Sequence, residues 1–202
     1  MNQVTEAVKH LLFINIILFF ASIGIMGDFK YHFYLFYPES AYFKPWQVIT
    51  HMFMHGSMNH LLFNMLSLFF IGPMMEYSLG TKRFVSFYLA CGLGGAMLHM
   101  LIKFVSIHYM GASDDMNIPV VGASGAINGL FVGLAYLYPN MPMSLLFIPV
   151  PVKAKYLAIF FITADLLWGL SGYATGIAHF AHLGGALVGF LLLFAWRNQR
   201  RR

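Results

Sequence analysis

The chain has 202 residues, of which 59% are apolar and only 9% charged, with 12 basic against 7 acidic side chains. Several uncharged stretches approach the roughly 20 residues that cross about 30 Å of hydrocarbon as a helix, which excludes a water-soluble domain and predicts a polytopic membrane protein. The surplus positive charge flanks the apolar stretches, where it orients helices in a bilayer, so no nucleic-acid partner is expected.

Six spans are predicted, at 9–27, 57–78, 84–107, 123–138, 152–171 and 176–197. They nearly exhaust the chain, so residues 1–202 are expected to form one all-α membrane domain. The first span has no small-residue cleavage site after it and is expected to stay as an anchor rather than be removed as a signal peptide. An even number of spans puts both termini on one side. If that side is cytoplasmic, it holds Lys9, Lys82, Arg83, Lys153, Lys155, Arg197, Arg200, Arg201 and Arg202 and leaves Lys30, Lys44 and Lys103 outside, as the positive-inside rule prefers.

The outer loop from Asp28 to Thr50 is dense in aromatics, among them Phe29, Tyr31, Tyr34, Phe36, Tyr42 and Trp46. Rings with one polar edge favour the headgroup level, so this loop is expected to lie in the membrane interface. Span two is entered through His51, His55, His60 and Asn64, the last two being four residues apart on one helical face. Asn64 is costly in a bilayer unless bonded, and it serves either as glue between helices or as a donor to a reacting group. Zinc is an alternative use of the histidines, but no His-Glu-x-x-His pattern, cysteine or acidic residue lies close enough to complete a ligand set. No metal and no cofactor are expected. Cys91, the single cysteine, sits inside span three and reads as a packing residue. Glu76, toward the end of span two, reads as a helix-end or loop-ordering residue, whereas His99 and Asp165, ionisable groups inside spans, receive no role.

Span four is short: from Ser124 to Pro139 it covers only about 22 Å. If its inner end reaches the cytoplasmic interface, Ser124 lies below the outer surface, and residues 114–121 must dip into the protein. Irregular backbone survives at that depth only beside a water-filled cavity, here expected to open to the outer side. Span six, begun near Thr175, would put His182 about 10 Å down from the same face. Gly125, Gly129 and Gly133 on span four and Gly185 and Gly189 on span six allow close backbone approach, and His182 precedes its two glycines by three and seven residues, on the same face. A serine hydroxyl needs a base such as histidine to become a nucleophile, and free backbone N–H groups at a helix start can stabilise an oxyanion. His179 is a second candidate for that base; the glycine register favours His182.

Together Trp46; His51-x-x-x-His55 with His60-x-x-x-Asn64; Gly72-Pro73-Met74-Met75-Glu76 with Gly80; Gly122-Ala123-Ser124-Gly125; and Ala181-His182-Leu183-Gly184-Gly185 with Gly189 resemble the rhomboid family of intramembrane serine proteases, over roughly residues 46–189. The resemblance implies a bacterial enzyme of six-helix core type in the cytoplasmic membrane, cutting single-span membrane proteins near the outer end of a helix. It implies a Ser124–His182 dyad without an acidic third member. The oxyanion site would use the Ser124 N–H with His60 and Asn64, and Gly122 would hold the preceding loop close. Two positions depart from the family pattern: Gln47 stands where many bacterial members have arginine, and Asn128 where many relatives place an aromatic against the catalytic histidine. Two other functions are weighed beside the protease: a catalytically silent binder of transmembrane helices, and a histidine-based proton or metal transporter. A binder has no need of a nucleophile beside a base, and a transporter needs a polar path linking both sides.

Overall fold

A computed structural model describes residues 4–145, 148–171 and 176–199. Thr175, where span six was expected to start, and Arg200, Arg201 and Arg202 lie outside the described residues. In chain order the helices are α1 (Glu6–Gly24), a short α2 (Gln47–Thr50), α3 (Met58–Leu79), α4 (Thr81–Tyr109), α5 (Ser124–Leu137), α6 (Ala154–Ser171) and α7 (His179–Gln199). Five of them have the length and hydropathy to cross a membrane, while α5 is a shorter apolar helix of 14 residues. The fold is that of an all-α polytopic membrane protein.

Glycine packing builds its centre. A side chain on Gly129 would meet Cys91 of α4 and, at 2.9 Å, the Gly185 carbonyl of α7; one on Gly189 would lie 2.7 Å from the Gly129 carbonyl. The α4, α5 and α7 backbones therefore approach as closely as small-residue interfaces allow, and Cys91 is buried there as expected of a packing residue. The helix α1 docks on α3, where the Glu76 carboxylate accepts from the backbone N–H groups of Ala7 (3.3 Å) and Val8 (3.2 Å) and from the Thr81 hydroxyl (2.8 Å). Among the described residues Thr5 makes no side-chain cap, and Glu76 supplies across space the acceptors that the first turn of α1 lacks. By contrast α6 packs on α5 and α7, with its buried residues confined to its start, at Ala154, Leu157 and Ala158.

Three features differ from the sequence reading. A hairpin of β1 (Pro142–Leu145) and β2 (Ile148–Lys153) precedes α6, which starts at Ala154 rather than 152. Pro149 and Pro151 lack the N–H that a helix needs, and the alternating Ile148, Val150 and Val152 suit a strand. Second, α7 starts at His179, placing His182 in its first turn, about 4.5 Å along the axis from the helix start rather than about 10 Å. Third, the aromatic loop is partly a folded layer: Tyr34, Leu35, Phe36 and Tyr37 are buried, while Phe29, Tyr31, Tyr42 and Trp46 stay exposed. Buried Gln47 ties that layer together, its amide nitrogen donating to the Tyr42 carbonyl (3.0 Å) and its oxygen accepting from the Phe36 N–H (3.3 Å).

Candidate active site

The segment leading into α5 is held on two sides. Leu35 and Val120 exchange backbone hydrogen bonds of 3.1 and 2.9 Å, so the chain before Ser124 runs as a strand-like partner of the aromatic layer. The buried Lys103 ammonium donates to the carbonyls of Asp115 (2.6 Å) and Ile118, fastening the preceding turn to α4. The Gly122 N–H then donates to the His51 carbonyl at 2.9 Å, and the His51 Nδ1–H donates to the Gln47 carbonyl at 2.9 Å. A run of anchors thus connects Gln47 to the turn ahead of the serine.

Gly122 has φ +123°, a region that side chains rarely adopt, and a Cβ there would lie 2.7 Å from His60 Nε2 and 3.7 Å from Asn64 Nδ2. Glycine is required twice over, for conformation and for space. The same distances show that Gly122, His60 and Asn64 meet beside the start of α5. Asn64 is buried, and its Nδ2 has no hydrogen-bond partner among the described residues. A buried orphan donor costs about 1–3 kcal/mol unless something accepts from it. The His55 ring lies edge-on to His60 with centroids 5.1 Å apart. In the loop before α3, burial holds the imidazoles of His51 and His55 well below their ordinary pKa, to about 4 and about 3, His60 adding to the effect at His55. Both are neutral near pH 7.

A cavity of about 1180 Å³ lies between α3, α5, α6 and α7, and Asn64, Ser124, Asn128, Asp165, His179 and His182 all line it. The nucleophile and base candidates of the sequence reading therefore share one space. No hydrogen bond within 3.5 Å joins Ser124 Oγ to His182 among the described residues; catalytic contacts are often long without substrate. Asn128, instead of an aromatic, turns its amide back to donate to the Ser124 carbonyl at 3.0 Å.

Asp165, left without a role by the sequence reading, enters the site. Its carboxylate accepts from His179 Nδ1 at 2.7 Å and from His182 Nδ1 at 3.1 and 3.2 Å, and its side chain is only 15% exposed. These three side chains bring potential ligand atoms within 4.8 Å of one another, whereas His51, His55 and His60 form no such group among the described residues. The available signal was an aspartate inside a span, which by itself argues for a partner.

A Rhomboid domain model matches residues 42–199. Similar proteins include "RHOMBOID-like protein 12, mitochondrial" of Arabidopsis thaliana, 33% identical over 160 residues, covering 76% of this chain and 46% of that protein. "Rhomboid protease AarA" of Providencia stuartii is 30% identical over 161 residues, 75% of this chain and 56% of that protein. "Rhomboid protein 1, mitochondrial" of Saccharomyces cerevisiae is 31% identical over 153 residues, 74% and 40%. The chain thus spans about half the length of the curated relatives it matches. With the family model covering most of the sequence, the chain belongs to the rhomboid family.

Proposed function

We propose that the protein is an intramembrane serine endopeptidase with Ser124 as nucleophile and His182 as general base. The observation that carries this reading is the shared cavity, in which Ser124, His182 and the partnerless Asn64 donor face one space. His182 takes the hydroxyl proton as Ser124 Oγ attacks the scissile carbonyl; it then returns that proton to the leaving amine, and water releases the acyl-enzyme by the same steps. The Ser124 N–H, His60 and Asn64 act as oxyanion donors, each worth about 3–4 kcal/mol by general precedent. Gly122 keeps the turn close enough for that geometry.

The substrate is a single-span membrane protein entering from the lipid, and its helix must unwind locally because a helical peptide bond is shielded and internally bonded. The cavity supports lateral entry, since it lies between α3 and α6 with Phe63, Phe70 and Trp168 on its lining and substantially exposed. The protein sits in a bacterial cytoplasmic membrane with both termini cytoplasmic and the cavity open, and water-filled, toward the outer side. A transport path is disfavoured: farther along α5 from Ser124, Leu130 and Leu134 are fully buried, as are Met75 and Phe87.

Purified wild type and Ser124→Ala in liposomes, given a model single-span substrate with and without chelator, test the proposal. Cleavage by wild type alone, insensitive to chelator, is expected, with Ser124→Ala folded and inactive because it removes one hydroxyl from a cavity wall. Full activity in Ser124→Ala sinks the assignment. No cleavage by either, across varied substrates, favours a helix-binding role.

A further inference from the structure

We propose that Asp165 is a positioning residue for His182, so that the site works as a serine–histidine–aspartate arrangement whose carboxylate comes from α6. This inference rests on the serine-protease reading of the cavity and names a further residue in it.

The argument begins with proton count. A carboxylate only accepts hydrogen bonds, so the contacts of 3.1 and 3.2 Å to His182 require a hydrogen on Nδ1. A neutral imidazole carries one N–H. With it on Nδ1, the Nε2 lone pair is free, which is the form a general base for Ser124 must have. The opposite tautomer would set the Nδ1 lone pair against the carboxylate and present an N–H to the serine oxygen. Asp165 is also the one group among the described residues that hydrogen-bonds the His182 side chain, whose ring otherwise has the edge-on His179 ring beside it at 6.3 Å.

Burial and the second histidine strengthen the case. At 15% exposure the carboxylate is largely shielded from water, and its field acts on His182 with less screening than on an open surface. His179 takes the same Oδ1 at 2.7 Å from one turn earlier on α7, and its ring lies parallel to Trp168 of α6, at 14° and 6.4 Å. The carboxylate is thereby fixed between two rings and cannot swing out to solvent without breaking three contacts. When His182 accepts the serine proton it becomes a cation, and Asp165 stabilises that charge without itself taking a proton. Serine Oγ loses its hydrogen to Nε2, Nδ1 keeps its own, and the aspartate stays ionised throughout.

The test uses the full chain in liposomes with a single-span substrate, measuring kcat and KM separately together with labelling of Ser124 by a fluorophosphonate. Asp165→Asn is expected to lower kcat by about 10-fold to about 10⁴-fold, the upper figure being that of a triad carboxylate exchanged for its amide, with KM and melting temperature near wild type. Ser124 labelling slows in parallel, and Asp165→Glu recovers part of the rate. Nitrogen NMR on histidine-labelled wild type gives an activity-independent readout: His182 is expected as the Nδ1–H tautomer, mixed in Asp165→Asn.

Wild-type kcat in Asp165→Asn alongside serine-dependent cleavage overturns this inference alone. An Nε2–H tautomer in wild type overturns it whatever the activity. Loss of folding in both the Asn and the Glu variants reduces Asp165 to a structural residue and overturns it too. Wild-type cleavage abolished by chelator and restored by zinc replaces it with a metal held by Asp165, His179 and His182. Absence of any Ser124-dependent cleavage or labelling brings down the protease reading, and this inference with it.

Discussion

At the scale of single residues, the choice between two histidines is the sharpest question. His179 and His182 both line the cavity and both donate to Asp165, so contact alone does not separate them. Position does: the Ala181 carbonyl lies against Gly95 and Gly125, holding the chain just before His182 onto the start of α5, whereas His179 packs toward Trp168 on α6. Replacing His182 with alanine is expected to reduce cleavage by at least about 10³-fold, within the range of a general base plus its orientation. His179→Ala should keep at least about a tenth of wild-type turnover. Rates measured on one substrate decide it, and the reverse order would make His179 the base. Much of the candidate site is legible from local pattern, because Gly122-Ala123-Ser124-Gly125 and His60-x-x-x-Asn64 each need only a turn or one helical face to have meaning. Asp165 is not: its meaning comes from rings on the next helix, and nothing in the α6 sequence says which way the carboxylate points.

At the scale of elements, the spans follow from apolar length, and all six proposed segments correspond to helices of the fold. What local pattern missed is the hairpin before α6, which overlaps the expected span only at Val152 and Lys153. The prolines and alternating β-branched residues from Ile148 to Val152 favour a strand there. Gln47 is a different case, since a neutral amide fully buried among four backbone groups orders the aromatic layer without an arginine there. The glycine faces are close-approach surfaces, as their spacing predicts, and they carry a mutational consequence. A Cβ on Gly185 would fall on the Gly125 carbonyl, a backbone atom that cannot move aside without shifting α5 against α7. Gly185→Ala is expected to cost about 1–3 kcal/mol or more of stability and to impair cleavage, because the shift separates the helices bearing Ser124 and His182. Gly24→Ala, at a position with nothing within 4 Å among the described residues, is the matched control and should be near neutral. Equal unfolding midpoints for the two variants in detergent would contradict the packing argument.

For the molecule as a whole, the buried histidines before α3 link stability to pH. His51 and His55 are 5% and 1% exposed, and burial holds them near about 4 and about 3 instead of 6.5. Above pH 6.5 the rings are neutral whether the chain is folded or not, so stability is intact. As pH falls below 6.5 the unfolded chain binds protons that the folded one refuses. Stability is then lost by up to about 1.4 kcal/mol per pH unit for each ring, until the folded-state value is reached. Both rings belong to the assembly around the serine turn, His51 through the Gly122 N–H that its carbonyl accepts and His55 through its contact with His60. Acid should therefore loosen that turn. Carboxylates elsewhere also respond to acid, so the measurement is a difference: unfolding free energies of wild type and His55→Gln in detergent, from pH 7 to pH 4. The gap between them should change steadily below pH 6.5, in favour of the variant. A gap independent of pH would mean that His55 takes its proton within the folded state, and the neutral, buried ring described for it would be wrong.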